Sequence, residues 1–509
     1  MRAALLAIAT LLVATALAVG ACRRVLPERF AVNAPVAHLL FGVGVEPVSG
    51  GALSERVALP DGFAIGIFAD GLPNARFLRF TAAGDLLVST TRSGRIVLVL
   101  RDGDGDGRSD GTRTLLEGLD RPQGMDFLDE WLYVGESGSI GRVRFDPVAR
   151  AVDGDYAHVV TGIPAGGNHY TRTLRFGPDG WMYVSIGSSC NVCEEEDPRR
   201  AAMVRYRPDG SGEEIFATGL RNAVGFDWRP GTGELFATDN GRDLLGDDFP
   251  PCELNRVVRG GFYGWPYANG DRVPDPDLGE DRADEIRRSL PPVHGFRAHN
   301  APLGIAFVRG DALPASYRGA ALVALHGSWN RTVKDGYRVV SLHWEGDSVR
   351  ERDFAVGFER DGDVIGRPVD VAEGPDGAIY VSDDYAGAVY RIAHGEAAQA
   401  LTRATTPRTG GGERIGDPAG EPGEPMPGDR AAAARRGRAL YASHDCASCH
   451  EPARAASGVQ PVPLDGLSAR YGVDDLSAFL AAPTPPMPAF PLSEQERRDL
   501  ATSLLEQHP

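Results

Sequence analysis

One turn-and-strand signature recurs six times along the chain and limits the architectures open to it. "AAGDLLVST" (82–90), "LDEWLYVGE" (128–136), "GPDGWMYVSIG" (177–187), "GTGELFATDNG" (231–241), "RGAALVALHGS" (318–328) and "GPDGAIYVSDD" (374–384) each set a Gly or Asp turn before a short β-rich run. Most are followed by a further strand, such as "GRIVLVL" or "YRVVSLHW". The copies lie about 46–57 residues apart, except for one interval of about 87 that contains the loop-rich stretch 262–300. A small sheet at this period cannot bury both faces alone and must pack on its neighbours. The pattern therefore predicts an all-β, six-bladed β-propeller over residues 50–397, rather than an irregular sandwich. The 64 glycines and 37 prolines suit the many tight turns such a ring needs.

The two ends depart from this pattern. "MRAALLAIATLLVATALAVGAC" has a short charged start, an apolar run and small residues, which predicts an export signal over 1–21. "VGAC" resembles a bacterial lipobox that would leave Cys22 as a lipidated N-terminus. Ordinary cleavage after Ala21 and an uncleaved anchor are the alternatives. The expected location is exported and periplasmic, with membrane contact only through the lipid. At the other end, 398–429 has almost no large apolar side chains and many Gly and Pro, which predicts a flexible linker. Beyond it, over 430–509, "RAAAARRGRALYASH" and "LSEQERRDLATSLLEQ" predict two helices. Leu440 and Tyr441 are available for packing in the first, and Ser493 caps the second with Glu496 three residues on.

Between those helices lies Cys446-Ala-Ser-Cys449-His450. Two thiols one helical turn apart can form thioethers with the haem vinyls while the adjacent imidazole reaches iron. The methionine after this motif is Met487, in the Pro-stiffened "PTPPMPAFPLS", and it is the expected sixth ligand. The segment resembles a small class I cytochrome c and predicts a covalently held haem c that takes one electron at a time. Of the six cysteines, Cys190, Cys193 and Cys252 then remain as an odd trio, in which one pair can close and one thiol stay free. "CNVC" also has metal or redox spacing, without a second such pair beside it.

A haem acceptor predicts a donor. "GGNHYTRTLRF" presents His169, "TGLRNAVGF" presents Arg221 and Asn222, "RPQGMDF" presents Gln123, and "GRPVDVAEG" presents Arg367, all at corresponding positions ahead of an inner strand. In a propeller those loops converge on one end of the central channel. His, Gln, Asn and two Arg converging there suit a polyanionic cofactor with a polar substrate above it.

The region from about 55 to 395 resembles the soluble pyrroloquinoline quinone (PQQ)-dependent sugar dehydrogenases, especially their L-sorbosone and aldose dehydrogenase branches. The stretches that carry the resemblance are "GLRN", "GELFATDNGRD", "GGFYGWPY" and "HGSWNR". It implies that His169 is the general base, that Arg221 stands beside the quinone oxygens, that Asn222 and Gln123 touch cofactor or substrate, and that Arg367 binds a PQQ carboxylate. It also implies a calcium ion held in part by the backbone carbonyls of Gly241 and Arg242, and a further basic contact from Arg331 or Lys334. Two positions depart from the glucose dehydrogenase branch: Asn168 stands where an Asp precedes the histidine, and Val369 where a second Arg follows the match to Arg367.

"RDGDGDGRSDG" spaces Asp102, Asp104, Asp106 and Asp110 as a calcium loop does, without the closing Glu. A solvated hairpin turn is the simpler reading. The net charge of -17 repels phosphate backbones and argues against nucleic acid. The expected activity is oxidation of an aldose or sorbosone-like sugar, with electrons relayed through the haem to an external acceptor. The rivals are a calcium-dependent propeller hydrolase of the lactonase type and a non-enzymatic binding propeller carrying a cytochrome.

Overall fold

The structure is a computed structural model. It describes residues 28–35 and 44–405 and, nearer the C-terminus, 436–438, 440–441, 446–450, 464, 467, 471–481, 483, 487, 490, 492 and 494–507. The expected export signal, Cys22, Ser493 and linker residues 406–429 lie outside these. The chain divides into two compact units, Met1–Arg408 and Thr409–Pro509. Among the described residues no helix is long and apolar enough to cross a membrane.

The first unit is a six-bladed β-propeller, and each signature marks the second strand of a blade. Blade 1 runs Ala75–Phe80, Leu86–Thr90, Arg95–Val99, Thr112–Leu116, with neighbours hydrogen-bonded in that order from the channel outward. Blades 2 to 5 begin at Met125, Leu174, Ala223 and Pro302 and follow the same antiparallel plan. The long interval is an excursion from blade 4, whose fourth strand, His294–Phe296, arrives only after a small hairpin and the helix Ala283–Arg288. Within that excursion Gly261–Phe262 adds a parallel fifth strand to blade 3.

Blade 6 is built from both ends of the ring. Pro368–Glu373, Ile379–Asp383 and Ala388–His394 supply three strands. Phe63–Ala69, from before blade 1, supplies the fourth, with Phe63 opposite His394 and Ile65 opposite Ile392. The helix Glu396–Thr405 then follows, with Leu401 buried among Phe68, Val97 and Val99. This corrects the expected linker boundary: residues 398–405 form a helix because Ala398 and Leu401 bury an apolar side against the ring.

The core is six apolar wedges, one between each pair of neighbouring blades. Alternate residues of one strand serve different wedges: Leu86 and Val88 face blade 6, and Leu87 faces blade 2. That two-sided burial explains why the second strands read as continuous apolar runs rather than as polar-apolar alternation. Turns repeat as well. In "GPDGWMY" and "GPDGAIY" a glycine with φ of 76° or 74° closes the turn, and the preceding Asp accepts from the Tyr hydroxyl four residues on, at 2.9 and 3.0 Å.

The innermost strands present an unpaired edge to the channel, and three buried aspartates answer it. Asp126 accepts from the Phe176 amide (2.8 Å), Asp227 from Phe307 (2.8 Å) and Asp370 from Leu78 (2.9 Å). Blades 2, 4 and 6 are thereby stapled to blades 3, 5 and 1.

In the second unit, Ala447–His450, Val473–Ala481 and Glu494–Gln507 are helical, as are 436–438 and 440–441. Leu467, Leu476, Leu480, Leu500 and Leu504 form its core, against which Leu440, Tyr441 and Met487 pack.

Candidate active site

One end of the channel collects the starts of the innermost strands and the ends of the second strands, because the two run antiparallel. Ala75 pairs with Thr90, Ala223 with Asp239, Pro302 with Leu325, and Pro368 with Asp383. Residues just before the first set and at or just after the second therefore face one mouth.

His169 is half-buried there. Its Nδ1 lies 2.9 Å from the Ser188 carbonyl oxygen and 3.0 Å from Ser188 Oγ. A carbonyl can only accept, so Nδ1 carries the hydrogen and Nε2 keeps its lone pair. The Ser188 hydroxyl donates to the Cys190 carbonyl at 2.7 Å, which leaves its oxygen free to accept as well. Burial, and then the charge of Arg221, push His169 down to about 3, so the imidazole is neutral near pH 7. Arg172 pins the His169 backbone by donating to its carbonyl at 2.9 Å. Gly187 brings neighbouring blades close: a Cβ there would lie 2.6 Å from His169 Cβ and 2.7 Å from Asn222 Oδ1.

Arg221 is buried and fully engaged. It donates to Asn191 O (2.9 Å), Asn191 Oδ1 (2.9 Å), Asn240 O (3.1 Å), Gly241 O (3.0 Å) and Asp243 Oδ2 (3.1 Å). Asn222 is held through its backbone, its amide donating to Asp239 Oδ1 at 2.6 Å. Its side-chain amide has no partner among the described residues. Arg242 turns away from the mouth into a buried pairing with Asp275 at 2.7 Å and with Asp277 at 2.7 Å. Of the two carbonyls expected to hold calcium, that of Gly241 accepts one hydrogen bond, from Arg221 Nη1 at 3.0 Å.

On the other side of the mouth, contacts pass from blade to blade. His326 Nε2 lies 2.8 Å from Asp384 Oδ1, Arg76 Nη1 donates to Asp384 Oδ2 at 2.7 Å, and Arg76 Nε donates to Gln123 Oε1 at 3.2 Å. Gln123 reaches Thr173 Oγ1 at 3.5 Å, and Thr173 donates to the Val224 carbonyl. Thr238 completes the circuit by donating to Leu303 O at 2.6 Å. Burial and Arg367 lower His326 to about 4. Arg76, His326, Asp384 and Ser188 were not singled out from the sequence. The readable signal for three of them is that the signatures themselves run to the mouth, through His326, Asp384 and the residue before Ser188.

Gln123 is itself a link of this belt and is wholly buried. Arg367 stands at the mouth with its guanidinium on the carbonyls of His326 (3.2 Å) and Gly327 (2.9 Å). Arg331 stands back, buried, donating to the carbonyls of Asp247 and Ala298. Lys334, the one lysine in the sequence, lies half-buried on the same loop with no partner among the described residues. The structure therefore brings His169, Arg221 and Asn222 together, with Arg367 at the same mouth on other carbonyls, while Gln123 is taken up in the belt and Arg331 and the Arg242 side chain are paired away from it.

Of the cysteine trio, Cys190 and Cys193 form a disulfide and Cys252 is a free, buried thiol, raised to about 11 by burial. The stretch 102–110 joins two strands of blade 1. Its aspartates accept from the loop's own amides, Asp102 from Gly105 at 2.7 Å and from Gly107 at 2.9 Å. In the second unit the helix Ala447–His450 carries the end of the CxxCH motif, with the His450 amide donating to the Cys446 carbonyl at 3.1 Å. Met487 lies half-buried against the apolar core.

A neutral histidine whose Nε2 has no partner among the described residues, set near guanidinium groups and the Asn222 amide at the mouth of a six-bladed ring, is the candidate base of this site. Residues 133–391 match the profile of Glucose / Sorbosone dehydrogenase, half the chain, and the chain belongs to that family. Residues 432–502 match the profile of Cytochrome C oxidase, cbb3-type, subunit III. An uncharacterized protein of Borreliella burgdorferi is 31% identical over 294 residues, 55% of this chain and 77% of that protein. Aldose sugar dehydrogenase YliI of Escherichia coli is 26% identical over 252 residues, 44% of this chain and 60% of that protein. Among solved structures, the PQQ domain of pyranose dehydrogenase from Coprinopsis cinerea superposes with a TM-score of 0.57 at 20% identity, covering 67% of this chain and 97% of that one. That likeness bears on the fold.

Proposed function

We propose that this chain oxidises an aldose or sorbosone-like sugar with PQQ as cofactor and passes the electrons to the haem c of its own C-terminal domain. The observation that carries the reading is His169: neutral, held as the Nδ1–H tautomer by the Ser188 carbonyl, with no partner for Nε2 among the described residues. Nε2 accepts the proton of the sugar hydroxyl, and Nδ1–H stays on Ser188, so the imidazolium formed is held in place. PQQ, when bound, supplies a two-electron acceptor for the hydride that leaves with that proton. A polyanionic group is suited by the Asn222 amide and the Lys334 ammonium, which have no partner among the described residues, and by the positive charge of the buried Arg221 and Arg367 behind them. No step is assigned to calcium.

The CxxCH motif favours this reading over a lactonase-type hydrolase, which has no use for a haem. Cys446 and Cys449 would hold the porphyrin, with His450 and Met487 on the iron. Export through residues 1–21, with Cys22 as a lipid anchor, belongs to the same proposal, because haem c and a diffusible sugar both suit that compartment.

The test is visible spectroscopy of oxidised, haem-loaded protein with PQQ and calcium, before and after mixing with aldoses and sorbosone. Growth of the reduced-haem band only when cofactor and sugar are both present supports the whole reading. Reduction of an artificial dye with a silent haem keeps the dehydrogenase and removes the relay. No response and no retained PQQ favours a binding propeller.

A further inference from the structure

Residues 187–201 link the second and third strands of blade 3 without regular secondary structure, yet both His169 and Arg221 lean on this loop. His169 rests on Ser188, whose hydroxyl is fixed by the Cys190 carbonyl at 2.7 Å and whose amide donates to the Arg221 carbonyl at 2.8 Å. Arg221 rests on Asn191, which offers it two acceptors, O and Oδ1, each at 2.9 Å. Asn191 in turn receives the Asp243 amide at 2.8 Å and donates to the Asp243 carbonyl at 3.0 Å. Asn191 sits inside the four-residue ring closed by Cys190 and Cys193. Glu195 holds the flank, accepting from Ser189 N at 2.6 Å and from Ser189 Oγ at 2.7 Å.

A loop of this length without strand or helix bonds samples many backbone states, and a covalent tie within it removes a share of them. One end of the tie is Cys190, whose carbonyl fixes Ser188, and the tie encloses Asn191, whose carbonyl and Oδ1 accept from Arg221. We propose that the Cys190–Cys193 bridge is a positioning device for the active site: it holds Asn191 under Arg221 and the Cys190 carbonyl on Ser188, and so keeps His169 in its Nδ1–H form. Opening the bridge, which takes two electrons and two protons to give two thiols, would leave the propeller folded and its base misplaced. The effect on turnover rests on the function proposed above, whereas the effect on the His169 tautomer does not.

The test uses the full chain as wild type, as Cys190→Ser/Cys193→Ser, and as Asn191→Ala with the bridge intact. Two readouts are taken: the ¹⁵N shifts of the His169 ring, assigned by their loss in His169→Gln, and the split of KM against kcat with a dye acceptor. In wild type the shifts should report one tautomer, Nδ1–H. In the double variant they should report a mixture, with kcat down about 10- to 100-fold and KM within about threefold, the scale expected when a reacting group is displaced by about an ångström. Asn191→Ala should show the same loss of kcat in smaller measure. A folded double variant with wild-type kcat and a single Nδ1–H tautomer overturns the proposal. If the double variant does not fold, an unchanged tautomer and kcat in Asn191→Ala overturn it instead. If wild type oxidises no sugar, the proposed function fails, and the tautomer alone decides for or against the bridge.

Discussion

A histidine whose Nδ1–H is spoken for by a carbonyl, and whose charged form is disfavoured by burial and a neighbouring guanidinium, serves as a base across the neutral range without titrating. Because its pKa is lowered to about 3, protonation sets in only well below the ordinary imidazole range. The acid limb of kcat/KM that His169 sets should therefore lie below pH 5, as a dye-coupled pH series would show. His169→Gln should lower kcat by about 10²- to 10⁴-fold while PQQ binding, followed by fluorescence, persists. His169, Arg221 and Asn222 were legible because each stands just ahead of an inner strand. Arg76 was not, since in "NARFLRF" it reads as the polar member of an alternating strand. Nor did the sequence reveal that Arg221 spends all its donors on carbonyls and carboxylates: that depends on Asn191 and Asp243, which arrive from other loops.

Strands contribute on two levels, by packing and by what they bury. Asp227 shows the second: fully buried, it accepts from the Phe307 amide and from Arg309 at 2.8 and 2.9 Å. Asp227→Asn should cost about 3 kcal/mol in urea unfolding, because it leaves a guanidinium and a staple with a weaker acceptor. The repeated "MDF", "FDW" and "VDV" in otherwise apolar inner strands are the trace these staples leave in the sequence, readable once the ring is known. Glu253 behaves in the opposite sense. It faces Asp239 across paired strands, and burial, then Asp239, raise it to about 8. A carboxyl raised on folding contributes stability that is lost as pH climbs from about 4.5 through 8. Glu253→Gln lacks that loss, so its Tm should gain on wild type by a few degrees between pH 5 and pH 8 in calorimetry.

At the scale of the molecule, six blades were countable from the signature. The closure was not: "FAIGIFA" carries no turn signal, and its partner lies more than three hundred residues on. Closure by a distant strand predicts a sharp boundary for truncation. Removing the chain through residue 49, ahead of the core residue Leu53, should leave a cooperative melt, whereas removing it through residue 70 should open blade 6 and expose the wedge that holds Val97 and Leu401 to protease. The helix 396–405 was hidden for a similar reason, since its few apolar residues gain meaning only against that same strand.

Lys334, finally, gives the chemist an address. A chain with 53 basic side chains, of which one is a lysine, offers amine-reactive reagents a single side-chain target, and that target stands on the loop bordering the mouth. A fluorophore placed there would report arrivals at the ring's opening, and a photo-crosslinker of known reach would capture whatever stands above it, whether the haem domain of the same chain or a partner that collects its electrons.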